Sequence, residues 1–177
     1  MKALLLSLGV ALVATAALAA TAPAAPARQT AMNETIVGVA AGDARFSTLV
    51  SLVKKAGLVG TLSAKGPYTV FAPTNAAFAK LKKSAPKTYA AVASDKALLK
   101  KVLTYHVLAK KVASPAAVAA AKKNASVKTV EGESIKLSLK GGKLYLNGNS
   151  QVIVADVAAS NGVIHAINTV LVPPSAG

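Results

Sequence analysis

The chain has 177 residues and a formal net charge of +15, from 21 lysine and arginine side chains against 6 acidic ones. Because it contains no cysteine, a disulfide framework, thiol chemistry and lipidation at a leader cysteine are all excluded. A chain of this length is expected to form one domain with a self-sufficient hydrophobic core.

The first 20 residues have the pattern of an export signal. Lys2 provides a basic start, an apolar stretch follows, and Ala17 and Ala19 have the Ala-x-Ala spacing that signal peptidase reads. We expect residues 1–20 to be a signal peptide that is cleaved on export, so the mature protein is predicted to be secreted, either extracellular or periplasmic. A membrane anchor is not expected, because the apolar stretch ends in small residues and no second one follows it.

The Pro/Ala-rich residues 21–31 are predicted to be an extended linker, and the folded domain is expected over residues 32–174. Within that domain, apolar residues at spacings of three and four predict helices at residues 33–42 and 46–57. Residues 58–64 are interpreted as a short apolar connector.

A short strand followed by a helix is predicted for residues 68–78, which read YTVFAPTNAAF. Tyr, Thr, Val and Phe favour a pleated strand, and Pro73, which lacks a backbone N–H, is expected to end it. Thr74 or Asn75 can then cap the helix that follows. We therefore expect this stretch to form a fixed corner against the core.

Three more helices are expected before the pattern changes. Residues 86–93 predict a short helix, and Ser94 is expected to cap a clearer one over residues 95–103. Ser114 and Pro115 begin a last, alanine-rich helix that is expected to end near residue 124.

Beyond residue 124 the apolar period becomes two, which is typical of strands. Residues 135–140 alternate apolar and polar side chains, and Gly141-Gly142 predicts a hairpin turn. Further strands are predicted at residues 143–146, 152–157 and 163–172. Helices first and strands later predict an α+β domain, in which the strand at residues 68–71 is inserted into a sheet made mostly by the C-terminal half.

Three motifs resemble those of one protein family. The stretches TVFAPTNAAF at residues 69–78 and GVIHAINTVLVP at residues 162–173 resemble the two signatures of fasciclin-type adhesion domains, and Tyr105-His106 matches the Tyr-His pair between them. The resemblance covers about residues 31–173. It implies a fasciclin-like α+β domain, with N-terminal helices packed on a mostly C-terminal β-sheet wedge. One departure is Asn168, which stands where the second signature commonly has an aspartate.

The resemblance also implies candidate partner-binding residues. In the family, the Tyr-His motif and its aliphatic neighbours are associated with cell adhesion and receptor contact. In this chain that role points to Tyr105, His106, Leu103, Val107 and Leu108. The role requires an accessible His106, whereas the apolar run TYHVL favours a core or semi-buried imidazole bonded to backbone.

The chemical inventory favours no enzyme. The chain lacks a Gly-x-Ser-x-Gly elbow, an HExxH motif and a glycine-rich phosphate loop. His106 and His165 are its only histidines, and its six acidic residues are scattered. We expect no catalytic residues, no cofactor and no metal, although both histidines converging with one carboxylate in an open cleft would reopen the question.

The positive charge predicts binding to polyanions, so the expected partners are anionic polysaccharide, cell envelope or matrix protein. A lysine-rich surface that only keeps the protein soluble is the plainer alternative. Specific nucleic-acid recognition is not expected, because the cations are nearly all lysine and are not interleaved with aromatic side chains. Peripheral membrane contact stays open, and a monomer is expected. The alternative function is carriage of an apolar ligand such as a carotenoid or lipid between the helices.

Overall fold

The computed structural model describes residues 34–176. The predicted signal peptide, its cleavage site and the predicted linker lie outside this part. The α-helices are α1 (Ile36–Ala41), α2 (Ser47–Ala56), α3 (Val59–Ser63), α4 (Asn75–Ser84), α5 (Pro86–Ser94), α6 (Lys96–Tyr105) and α7 (Ser114–Lys122). The strands are β1 (Tyr68–Pro73), β2 (Val107–Leu108), β3 (Ser126–Lys128), β4 (Ser134–Lys140), β5 (Lys143–Leu146), β6 (Ser150–Ala159) and β7 (Gly162–Ile167). None of these helices is both long and apolar enough to cross a bilayer.

All seven strands belong to one sheet, in the order β2-β1-β7-β6-β5-β4-β3. Strands β1 and β7 run parallel, and every other neighbouring pair is antiparallel. The helices come mainly from the first two thirds of the chain and the sheet from its C-terminal half. The predicted α+β class and the insertion of β1 into a sheet made mostly by the C-terminal half are therefore confirmed.

The two signature stretches lie side by side in this sheet. Strand β1 pairs with β7 from Tyr68 opposite Gly162 to Pro73 opposite Ile167. The strands approach so closely at their start that a Cβ on Gly162 would lie 2.0 Å from the Tyr68 carbonyl oxygen. Only glycine fits at this position, because no side chain can share that space with a backbone oxygen.

Two hydrophobic cores lie on opposite faces of β1 and β7. The first core joins one face of these strands, with Val70 and Ile164, to helices α1–α6. The second core joins the opposite face, with Phe71 and Ile167, to α7 and to the inner faces of β3–β5. Because both faces are covered, all of β7 is buried, which explains its nearly continuous apolar sequence.

Polar side chains fix the corner after β1. Thr74 caps α4 by accepting a hydrogen bond from the Ala77 N–H at 3.4 Å. Asn75 instead caps α2, which has no side-chain cap of its own: its Oδ1 accepts from the Thr48 N–H at 3.0 Å, and its Nδ2 donates to the Ala44 carbonyl at 2.9 Å. The polar residues of the first signature thus fasten two helices to one strand end.

Asn161 fastens the opposite end of the same strand pair. Its buried amide accepts from the Ile36 N–H at 2.9 Å and donates to the Leu62 and Ala64 carbonyls at 2.8 and 2.9 Å. The residue therefore ties the start of α1 and the end of α3 to the turn before β7.

Two predicted helical details are wrong. The segment at residues 58–64 is not a connector but contains α3, because Leu58 and Leu62 are four apart and both are buried in the first core. Helix α6 is capped by Asp95 rather than Ser94, since the Asp95 carboxylate accepts from two backbone N–H groups while the Ser94 hydroxyl donates to the Ala90 carbonyl.

Two strand predictions also differ from the structure. The strand expected to run to residue 172 ends at Ile167, because the Asn168 side chain bonds back to the Gln151 N–H and the chain then turns toward α6. Strand β3 was not predicted at all. Its three residues are too few for a period to show, and it forms by pairing with β4.

Candidate functional site

The candidate contact residues lie where α6 ends and β2 begins, at the edge of the sheet. All five are buried, with exposed fractions of 0 to 4 per cent. They are Leu103, Tyr105, His106, Val107 and Leu108.

His106 is a neutral imidazole that makes two hydrogen bonds to backbone. The Leu171 N–H can only donate, so the Nε2 atom, 2.9 Å away, accepts. The Nδ1 atom therefore carries the proton and donates to the Val102 carbonyl at 2.7 Å. Complete burial lowers the pKa of His106 to about 4. The ring thus ties the last turn of α6 to the segment after β7.

Tyr105 makes the corresponding connection on the other side. Its ring lies in the second core, and its hydroxyl donates to the Ser134 carbonyl at 3.2 Å. The same oxygen accepts from Asn147 Nδ2 at 2.9 Å. Burial raises the pKa of the Tyr105 phenol, so it stays a hydrogen-bond donor. Tyr105 therefore fastens α6 to the β4–β5 hairpin.

Tyr105 and His106 therefore hold the end of α6 to two different parts of the domain. Neither side chain, nor those of Leu103 and Leu108, can touch a partner while the domain keeps this conformation, and Val107 is only 3 per cent exposed. The contact role that the resemblance implies for these five residues stays a prediction, and it would require the edge of the sheet to open.

His165, the other histidine, is fully buried in β7 and stacks on Phe71 with ring centroids 5.7 Å apart. Its Nδ1 accepts from the Asp156 N–H at 3.2 Å, and its Nε2 donates to the Val112 carbonyl at 2.8 Å. The two histidines share no partner. Between residues 34 and 176 no group of three histidine or acidic side chains is placed to hold a metal ion.

Asp156 belongs to the same region but acts as a helix cap. It has a positive φ of 57°, beside the irregular pairing of β6 with β7, and its carboxylate accepts from the backbone N–H and the hydroxyl of Ser114. Burial would raise the pKa of Asp156, but the hydrogen bonds from Ser114 outweigh it and the pKa is lowered. A Ser, a His and an Asp thus lie near one another, but both ring nitrogens of His165 bond to backbone groups rather than to the Ser114 hydroxyl.

Two cavities bear on the carriage of an apolar ligand. One, of about 30 Å³, lies in the first core and is lined by Ile36, Leu49 and His106 among others. The other, of about 160 Å³, is lined by Leu58, Val107 and Val130 among others. Ligand pockets measure roughly 300–1,000 Å³, so neither holds a carotenoid or lipid without rearrangement. Carriage of such a ligand stays a prediction.

The lysine side chains are exposed and available to a partner. Every lysine between residues 34 and 176 is exposed except Lys101, which is half-buried. In this part of the chain only two ion pairs form, Arg45 with Asp43 and Lys101 with Glu131. The positive charge therefore faces solvent largely unpaired.

Comparisons with known proteins agree with the motifs. The model of the fasciclin domain family matches residues 44–173. Protein sll1483 of Synechocystis sp. is 45% identical over 170 residues, which cover 95% of this chain and 91% of that protein. Transforming growth factor-beta-induced protein ig-h3 of Sus scrofa is 38% identical over 141 residues, or 80% of this chain and 20% of that protein.

A solved structure shows the same fold. The FAS1 domain pair from the insect cell adhesion molecule fasciclin I superposes with a TM-score of 0.71 at 20% identity, over 81% of this chain and 52% of that one. The resemblance drawn from the two signatures and the Tyr-His pair is therefore confirmed.

Proposed function

Because this chain belongs to the fasciclin domain family, we propose that it is a secreted, non-enzymatic binding module that contacts anionic material of a cell surface or matrix. The observation that carries the proposal is the net charge of +15, most of which comes from the exposed lysines between residues 34 and 176. A field of this size attracts polyanions without any need for a shaped pocket.

Three further observations support the proposal. The protein in the matching solved structure is a cell adhesion molecule. The export-signal pattern of residues 1–20 supports secretion. Both histidines are engaged with backbone groups inside the cores, which supports a role in binding rather than in catalysis.

Retention on an immobilised acidic polysaccharide tests the proposal. The mature protein is loaded at low ionic strength and eluted with increasing sodium chloride. We expect strong retention that is lost as salt rises from about 0.05 M to about 0.5 M, because screening shortens the reach of each charge. The same polysaccharide with its carboxylates esterified is the matched control and should not retain the protein.

Two results would overturn the proposal. One is no retention on the acidic polysaccharide at low salt. The other is equal retention on the acidic and the esterified forms, which would show that charge does not drive the contact.

A further inference from the structure

Strands β3–β5 present an outer face that carries lysines and no acidic side chain. Ile135 and Leu137 point into the second core, so the residues that alternate with them point outward. The outward cations of the three strands are Lys128, Lys136, Lys140 and Lys143, all exposed. We call these four lysines, together with Tyr145 between them, the lysine face.

Two of these charges are held directly opposite each other. Lys140 pairs with Lys143 across β4 and β5. Like charges at opposite positions of an antiparallel pair repel, and no carboxylate of these strands is there to offset them. A bound anion would relieve that repulsion.

Tyr145 gives the face an aromatic centre. Its half-buried ring lies with the Lys140 Nζ 5.5 Å from the ring centroid, and its hydroxyl donates to Gln151 Oε1 at 3.3 Å. Ser138 stands opposite Tyr145 on β4, and its hydroxyl oxygen is buried and makes no hydrogen bond to any residue of the described chain. An aromatic ring and cations thus share the outer surface of these strands.

We propose that the lysine face binds a carboxylated polysaccharide, with a sugar ring against the exposed part of the Tyr145 side chain and carboxylates on the surrounding lysines. This inference rests on the proposed function and names the surface that performs it. Lys136 and Lys140 lie four residues apart on one strand, about 13 Å. A charged polymer chain laid over the sheet therefore meets several cations at once.

The same features disfavour other polyanions. A single half-buried ring cannot stack successive bases of a nucleic acid, which needs several exposed aromatic side chains. The face has no arginine, the side chain that holds phosphate groups with two parallel hydrogen bonds. Carboxylates spaced along a polymer need only point charges, which lysines supply.

Binding of the mature protein to polygalacturonate, with matched charge variants, tests the inference. One variant is Lys136→Gln/Lys140→Gln/Lys143→Gln. The control is Lys82→Gln/Lys83→Gln/Lys87→Gln, which removes the same charge from exposed positions on α4 and α5. We expect the first variant to bind at least about tenfold more weakly, and the control to lose no more than about threefold, because it lowers only the overall field.

Variants of Tyr145 test whether the aromatic ring contributes to binding or whether the lysine charges alone are sufficient. Tyr145→Phe keeps the ring and should bind like the wild type at low salt. Tyr145→Thr keeps a strand-forming residue without the ring and should bind several-fold more weakly at the same salt concentration, although its charge is unchanged. Circular dichroism and thermal unfolding of each variant confirm that it is folded.

Each outcome bears on one claim. If the wild type binds polygalacturonate but both triple variants weaken equally, the lysine face is wrong while the proposed function stands. If the wild type does not bind at low salt, the proposed function is wrong as well. Tighter binding to single-stranded DNA or to phosphatidylserine vesicles than to polygalacturonate, with the same dependence on the lysine face, would overturn the choice of polysaccharide.

Discussion

The burial of His106 gives its side chain a structural role and keeps the imidazole neutral. Its ring has one donor and one acceptor position, and both are used by backbone groups of different elements. A proton on Nε2 would remove the acceptor for the Leu171 N–H inside a core, so the charged form is disfavoured by burial and by geometry together.

The first prediction is a loss of stability on acidification that depends on His106. Its pKa is about 4 in the folded protein and about 6.5 in the unfolded chain, so the unfolded state binds the proton first. The contribution is fully present above pH 6.5 and is lost as the pH falls toward 4, by up to about 1.4 kcal/mol per pH unit. Urea unfolding at pH 7, 6 and 5 measures it.

His106→Gln is the comparison for that series, since glutamine keeps a donor and an acceptor but does not titrate. Its unfolding free energy should fall less than that of the wild type between pH 6.5 and 5. Parallel curves for the two proteins would contradict the account of His106.

The second prediction for a single residue is that a side chain at Gly162 destabilises the fold. A methyl group on its Cα would meet the Tyr68 carbonyl oxygen at 2.0 Å, so β1 and β7 would have to separate where the two signatures pair. We expect Gly162→Ala to lower the unfolding free energy by about 3 kcal/mol or more, through disrupted pairing and core packing. Gly60→Ala is the control, because a Cβ there meets nothing within 4 Å and alanine favours the helix. Thermal unfolding compares them, and equal stability of the two variants would refute the steric argument.

At the scale of elements, two helices are capped by residues from elsewhere in the chain. Asn75 caps α2 from the start of α4, and Asp156 caps α7 from β6. Neither α2 nor α7 has a side-chain cap within its own sequence, so their first turns depend on the assembled domain.

The third prediction concerns the cap of α7. Asp156→Ala removes the acceptor for Ser114 and places alanine at a positive φ, so we expect a loss of about 2 to 3 kcal/mol. Asp156→Asn retains an acceptor and a residue that tolerates this backbone conformation, and should cost less. Hydrogen exchange of the first turn of α7 localises the effect. Unchanged exchange in Asp156→Ala would show that the cap is not needed.

The sequence predicted individual helices and strands better than the side-chain hydrogen bonds that join distant segments. Alternation identified the β4–β5 hairpin, and Pro73 with Thr74 marked the change from β1 to α4. Nothing local shows that Asp156 caps α7, because the bond from Ser114 spans 42 residues. The same alternation that predicted β4 also places its lysines on one face, and that signal was available without the structure.

At the scale of the whole molecule, the site could be predicted only in part. The family follows from the order and spacing of the three motifs, whereas the pairing of β1 with β7 is seen only in the structure. The apolar run TYHVL also favours a core imidazole bonded to backbone, which is what His106 is, but it does not identify the Leu171 N–H, 65 residues away, as one of the partners. The exposed lysines carry the unpaired positive charge, whereas the Tyr-His pair is buried. The proposed function therefore depends on the lysines.

The central claim is that this domain binds polyanions through exposed charge and leaves them chemically unchanged. The most direct test is the dissociation constant for polygalacturonate as a function of sodium chloride concentration, with the polymer's length analysed after each incubation. We predict a linear fall of log affinity against log salt and an unaltered polymer. An affinity independent of salt, or a shortened polymer, would contradict the claim.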